Sequence, residues 1–388
     1  MWQAVPMRVA VVAGPDAGHA IPAIELCRRL ADAGDDPILF TGERWLGTEL
    51  PGVTFALLAG LDPRPGDDDS DAGAKLHARA AHIATELLPD LSALLPDLVV
   101  SDVITAGGGM AAERLGIPWI ELSPHPLYLP SRGLPPIGSG LAPGRGIRGW
   151  ARDALLRRMT ARSVRRGDRE RGVARLGIGL PEQDPGPAAR LIATLPALEV
   201  PRPDWPGNAH LVGPLLWEPT ETVLTPPPGP GPLVMVAPST ATTGVVGMLD
   251  AVCIALDGTG MRVAATMLDG ADGVLPDWAV AGRGRQDVLL GHADVVVCGG
   301  GHGMLAKALG AGVPAVIVPG GGDQWELANR AARQGSALVV RPLDPVAVRT
   351  AIETILSEKR FAAAARSAAA TAGRVEDPVQ VCRTVAAA

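Results

Sequence analysis

The stretch Val295-Val296-Val297-Cys298-Gly299-Gly300-Gly301-His302-Gly303-Met304 decides the fold class. A helix-compatible run to Leu309 follows it, then Ala311-Gly312-Val313-Pro314 and a new apolar run that ends in Pro319-Gly320-Gly321-Gly322-Asp323-Gln324. Apolar runs without polar alternation read as strands buried on both faces, as in a parallel sheet. Glycines between a strand and a helix let backbone N–H groups approach an anion, and the helix dipole adds favourable potential. Gly300, Gly301, His302, Gly303 and Met304 are therefore expected to form a diphosphate cradle. Asp323 and Gln324 stand at the carboxyl end of the next strand, where open α/β sheets bind ligands, and offer acceptors and donors suited to sugar hydroxyls.

The same strand, glycine turn and helix pattern runs through the whole chain. Arg8–Val12 reads as a buried strand, and a helix with Ile24, Cys27, Leu30 and Ala31 on one face follows it. Further strands are expected at Pro37–Thr41, Leu98–Asp102 and Ile117–Leu122, with a helix at Met110–Leu115. Six prolines between Pro219 and Pro232 suit a linker, since proline cannot donate to a sheet or sit inside a helix. Beyond it the alternation restarts at Leu233–Ala237, Arg262–Thr266, Ala293–Cys298 and Ala315–Pro319. The expected class is α/β, with two doubly wound parallel-sheet domains facing across a cleft. The expected division is a first domain at 1–218, a linker at 219–232 and a second domain at 233–388.

At 388 residues the chain exceeds what one core usually organises. A net charge of −6 argues against a protein that binds the nucleic-acid backbone, so no nucleic-acid partner is expected. Cys27, Cys253, Cys298 and Cys382 are far apart, without zinc-ligand spacing, and read as reduced, mostly buried thiols. Asp16 and His19 follow the first strand too early for a signal-peptide core, and no run is apolar enough to span a membrane. A cytoplasmic protein is the expectation.

Between Gly144 and Gly177, eleven arginines face three acidic residues, Asp153, Asp168 and Glu170. Leu155, Leu156 and Met159 fall together on a helix there. Two readings stand side by side: a solvated face with a core stripe, or an interfacial helix in peripheral contact with a membrane. Two other motifs weigh less. Gly107-Gly108-Gly109-Met110-Ala111-Ala112 fits a dinucleotide fingerprint but lacks the acid expected ~20 residues later. Asp67-Asp68-Asp69-Ser70-Asp71 has the spacing of a metal-dependent transferase, but in a polar stretch flanked by Gly and Pro that reads as a solvated loop. No metal is expected.

The segment from Gln286 to Asn329 resembles the donor-binding signature of family 1 glycosyltransferases, the UDP/TDP-sugar-dependent enzymes of GT-B fold. The resemblance extends over most of the chain: Gly18-His19 with Pro22, Pro96–Asp102, Ala112–Pro118, Pro201-Arg202-Pro203, and Val212-Gly213-Pro214-Leu215 all fit. It implies an inverting displacement that moves a hexose from a nucleotide-diphosphate sugar onto a small hydrophobic or lipid acceptor, with 1–218 as the acceptor-binding domain and 233–388 as the donor-binding domain, whose last helix can pack back on the first. In that pattern His19 is the general base, with Asp102 as its orienting acid. Ser239, Thr240 and the Gly300–Met304 backbone would meet the leaving diphosphate, Gln286 would belong to the donor site, and no cofactor beyond the donor sugar is implied.

Three departures from the family pattern fall in the donor site. Gly299 replaces a diphosphate-contacting histidine, and Lys307 replaces a glutamate that grips the ribose. Arg283-Gly284-Arg285 replaces the tryptophan-x-proline that stacks on the base, leaving Arg283 as a candidate stacking group. The departures motivate an alternative: a weak or inactive relative that binds a nucleotide sugar or lipid as an accessory or sensor protein. A nucleotide-sugar epimerase would need carboxylates around the anomeric centre that the sequence does not identify.

Overall fold

A computed structural model of the protein describes residues 6–62, 72–240, 243–268 and 274–388. The first domain runs β1 (Arg8–Val12), α1 (Ala17–Asp32), β2 (Asp36–Thr41), β3 (Thr54–Leu57), α2 (Ala72–Leu94), β4 (Leu98–Asp102), α3 (Gly107–Leu115), β5 (Trp119–Ser123), α4 (Gly146–Gly177), β6 (Ala189–Ile192) and β7 (Ala209–Leu211). Its seven strands lie in the order β3-β2-β1-β4-β5-β6-β7, and every neighbouring pair is parallel.

The second domain contains β8 (Leu233–Ala237), α5 (Met248–Leu256), β9 (Arg262–Thr266), β10 (Ala279–Gly282), α6 (Gln286–Leu290), β11 (Val295–Cys298) and α7 (His302–Gly310). It continues with β12 (Ala315–Ile317), α8 (Gln324–Arg333), β13 (Ala337–Val339), α9 (Pro345–Ser357), α10 (Lys359–Ala369) and α11 (Pro378–Ala386). Its order is β10-β9-β8-β11-β12-β13, again all parallel.

The strands expected at 8–12, 98–102, 233–237 and 262–266 form with those bounds, and the others differ at their ends by one to two residues. The Pro-rich run 219–232 has no helix or strand. Each sheet is sandwiched between two apolar clusters, because its strands are buried on both faces. The chain crosses between domains more than once. Val379, Val381 and Cys382 of α11 bury beside Leu26 and Cys27 of α1, while Leu195 and Leu198 bury in the second domain's core.

The glycine triplet at 107–109 proves to be a packing device. A Cβ on Gly108 would lie 2.8 Å from Val12 Cβ and 2.9 Å from Ser101 Oγ, and one on Gly109 2.8 Å from the Trp119 ring. Small residues there let α3 sit close against β1, β4 and β5.

The core stripe expected on α4 does not form. Leu155 and Met159 are 61 % and 67 % exposed, and the helix is anchored instead through polar residues, Asp153 and Arg175. The Arg175 guanidinium meets both carboxylate oxygens of Glu113 at 2.7 and 2.8 Å and also donates to the carbonyls of Pro181 and Gln183. Asp153 accepts from the amide of Gly144 and from Arg152. The acidic run at 67–71 lies outside the described residues.

Candidate active site

In each sheet the strand order reverses at one place, between β1 and β4 and between β8 and β11. Open α/β sheets bind ligands in the crevice at the carboxyl ends of the strands flanking such a reversal. His19, in the first turn of α1, and Asp102, the last residue of β4, flank the first crevice. Ser239, after β8, and the Gly299–Gly301 turn, after β11, flank the second.

His19 Nδ1 lies 2.9 Å from both carboxylate oxygens of Asp102, which is fully buried. An ionised carboxylate only accepts, so Nδ1 carries the proton and Nε2 keeps its lone pair. Asp102 is itself held by the amide of Ile104 at 2.9 Å. Burial alone would lower the His19 pKa. The Asp102 charge and hydrogen bond, joined by Asp16 and Asp323, outweigh it and raise the pKa above the ordinary imidazole value. Asp102 is not a helix N-cap: its carboxylate serves His19 and a loop amide, while α3 begins five residues later with no side-chain cap.

At the second crevice the cradle residues are in place. Gly300 has φ +79°, and a Cβ there would come within 2.7 Å of Ile317 Cγ2, so only glycine fits. Gly301 is the N-cap of α7 with no side-chain capping bond, leaving the first-turn amides, from His302 to Met304, pointing out of the helix end. Gly299 lies tight against its neighbours: a Cβ would sit 3.0 Å from Ser239 Cβ and 3.5 Å from Gln324 Oε1. A histidine at that position would have to push Ser239 aside.

Several expected donor contacts are engaged within the protein. The Gln324 amide is buried and bridges Gly320 N at 2.8 Å to Ser239 Oγ at 3.0 Å, so it shapes the turn. The His302 ring turns away from the helix end, with Nε2 2.8 Å from Thr194 Oγ1 of the first domain, and burial lowers its pKa to about 3. Gln286 donates to Thr266 Oγ1 and accepts from Lys307 Nζ, both at 3.0 Å. Lys307, expected to face a ribose or phosphate, is buried in a 2.7 Å ion pair with Glu218. Arg285 is paired with Asp287 and Glu221, whereas Arg283 and Thr240 are exposed.

Three residues that bridge the two domains escaped the sequence reading: Tyr128, Thr194 and Glu218. Tyr128 donates to Asp323 Oδ2 at 3.0 Å and stacks on His125, with ring centroids 4.3 Å apart. Its one advance signal is that it is the chain's only tyrosine, placed just after a strand's carboxyl end. Among the described residues no group of three or more His, Cys, Asp or Glu is arranged to hold a metal ion.

No described family's sequence profile matches the chain. The 4'-demethylrebeccamycin synthase of Lentzea aerocolonigenes is 29% identical over 91% of this chain and 93% of its own length. The solved structure of the kitacinnamycin glycotransferase superimposes with a TM-score of 0.76, at 19% identity, over 99% of both chains. The glycosyltransferase SsfS6 of Streptomyces sp. SF2575, solved with thymidine diphosphate, superimposes with a TM-score of 0.65 at 22% identity, over 98% of this chain and all of that one.

Replacing Asp102 with Asn removes the charge that opposes desolvation, so the His19 pKa should fall below the ordinary imidazole value. Titration of the imidazole resonances by NMR measures it. Because the folded pKa is raised in the native protein, the pair's contribution to stability is complete below the unfolded pKa and disappears as pH rises through the folded one.

Proposed function

We propose that the chain, whose fold is that of the GT-B glycosyltransferases it superimposes on, is itself a glycosyltransferase like the full-length relative it resembles, and that it moves a hexose from a UDP- or TDP-linked donor to a hydroxyl of a small hydrophobic acceptor, with inversion and without a metal. The observation that carries the reading is the His19–Asp102 pair at one sheet switch point, together with the uncapped N-terminal end of α7 at the other. His19 Nε2 takes the proton of the acceptor hydroxyl as its oxygen forms a bond to the anomeric carbon. The bond from that carbon to the diphosphate oxygen breaks on the opposite face, and the diphosphate leaves with the electron pair. Asp102 holds the imidazole tautomer and stabilises the imidazolium that results.

The departing charge is met by backbone amides of the Gly300–Met304 turn and by the hydroxyls of Ser239 and Thr240. Asp323 reads the sugar, and Arg283 stacks on the base. SsfS6 bound to thymidine diphosphate supports a nucleoside diphosphate as the donor's leaving group. The free cysteines are compatible with the reducing compartment that a cytoplasmic enzyme would occupy.

A second observation favours work at a membrane surface. No helix among the described residues is long and apolar enough to cross a membrane. Yet α4 leaves Ile147, Trp150, Leu155 and Met159 largely exposed, interleaved with arginines. Apolar side chains that reach the acyl boundary while arginines meet anionic headgroups make an interfacial helix. The acceptor in that case is a lipid or a membrane-dissolved molecule.

His19→Ala is expected to lower transfer by about 10²–10⁴-fold, the range for losing a general base, while calorimetry shows UDP or TDP binding unchanged; turnover equal to the parent's would reject the base assignment. Transfer should persist in EDTA, and its complete loss would overturn the metal-free mechanism. Sedimentation with phosphatidylcholine vesicles should rise when phosphatidylserine is included and fall in a Trp150→Ser/Leu155→Ser variant. Binding indifferent to anionic lipid would remove the membrane reading.

A further inference from the structure

Tyr128 is held in place more firmly than a loop residue needs to be. On one side of it, Glu199 accepts from the Leu127 amide at 2.7 Å. On both sides, Arg202 donates to carbonyls, those of Leu127 and Leu129. The ring stacks on His125, and the Arg330 guanidinium of α8 lies 5.7 Å from its centroid. Arg330 is itself anchored from both domains, by Glu326 at 3.1 Å, the Leu198 carbonyl at 3.0 Å and Glu199 at 3.6 Å. The phenol is thus delivered across the cleft to a fixed point, Asp323 Oδ2.

Asp323 shows the complementary commitment. It stands at the N-cap of α8, where an aspartate ordinarily accepts from the helix's own amides, but it makes no capping bond. Its field reaches His19, His125 and Tyr128, raising the pKa of His19 and, after burial, that of the phenol. Tyr128 therefore stays a neutral donor.

We propose that Tyr128 is a specificity-determining residue for the donor sugar: by occupying Oδ2 it leaves Asp323 one oxygen, Oδ1, with which to read one sugar hydroxyl. This rests on the reading that Asp323 faces the donor sugar. A carboxylate with both oxygens free accepts from two neighbouring hydroxyls at once, as it does from the two prongs of a guanidinium. With Oδ2 taken, the second hydroxyl of such a pair has no charged partner. Strong rejection of an analogue lacking a hydroxyl requires a site group left unpaired by its absence, and here the phenol already pairs that group. The enzyme accordingly tolerates the loss of one hydroxyl next to the one that Asp323 reads.

Tyr128→Phe tests this, because it keeps the stack on His125 and removes only the phenol oxygen. The measurement is kcat/KM, with Kd by calorimetry, for a nucleotide-linked hexose and for analogues each lacking one ring hydroxyl, UDP- and TDP-linked. At one hydroxyl position the variant is expected to favour the complete hexose over the deoxy analogue by about tenfold more than the parent does, the range of one hydrogen bond to a charged acceptor. Acceptor KM should stay unchanged. Identical discrimination in parent and variant at every position overturns the proposal. Asp323→Asn separates the two readings: if it leaves donor Kd and kcat/KM untouched, the placement of Asp323 at the sugar is what fails, and the role of Tyr128 falls with it.

Discussion

A parallel strand cannot return directly to its neighbour, so the chain must cross over one face of the sheet, most often as a helix. When successive strands are added first on one side of a starting strand and then on the other, the helices leaving that starting strand and its later neighbour go to opposite faces. A crevice opens between them at the carboxyl ends. The chain meets this constraint twice, at β1/β4 and at β8/β11. The chemistry follows from it. His19 and Asp102 come from loops and strand ends that are 83 residues apart in sequence yet share a hydrogen bond, and Ser239 approaches Gln324 for the same reason.

Between the two crevices the domains are joined by side chains at their rims. Thr194 meets His302, Tyr128 meets Asp323, and Glu218 meets Lys307. The last of these is the costly one. Two buried charges each lose several kcal/mol of solvation, and their attraction offsets this only when further hydrogen bonds satisfy both groups. Glu218 has those bonds, from the amides of Gln286 and Asp287 at 3.1 and 3.3 Å, and Lys307 has the Gln286 carbonyl oxygen at 3.0 Å. Lys307 and its partners therefore act as one unit, and a substitution at either end strands a buried charge.

The backbone of the site was legible in the sequence, because buried strands and glycine turns leave local signatures. Val295–Cys298 has no polar alternation, and Gly300 sits where a left-handed turn and close contact with Ile317 both demand glycine. The pairing of His19 with Asp102 came from resemblance, and the geometry gives it a physical basis. The side-chain partners across the cleft were not legible. Whether Lys307 points at a ligand or at Glu218 depends on a residue 89 positions earlier, and no period or spacing encodes that contact. The α4 expectation went wrong for a related reason: helical periodicity identifies which residues share a face but not whether anything covers it. Arg175, a residue that composition assigns to the surface, turned out to be an anchor, while Leu155 and Met159 turned out to be exposed.

The candidate donor side has an electrostatic consequence. Three of its basic side chains bring no free positive charge to the α7 N-terminus: Lys307 is paired with Glu218, Arg285 with Asp287 and Glu221, and burial pushes the His302 pKa down to about 3. Apart from the exposed Arg283, what remains is the backbone of the helix end, whose partial charge is fixed by geometry and does not titrate. An anion bound there meets oriented amides rather than mobile cations, so the strength of the contact depends on how closely it can approach. Gly299, Gly300 and Gly301 keep that approach open, which gives the glycine at 299, where the resembled family carries a histidine, a structural counterpart. Charge has been exchanged for proximity, and the packing of Ser239 and Gln324 against Gly299 holds the exchange in place.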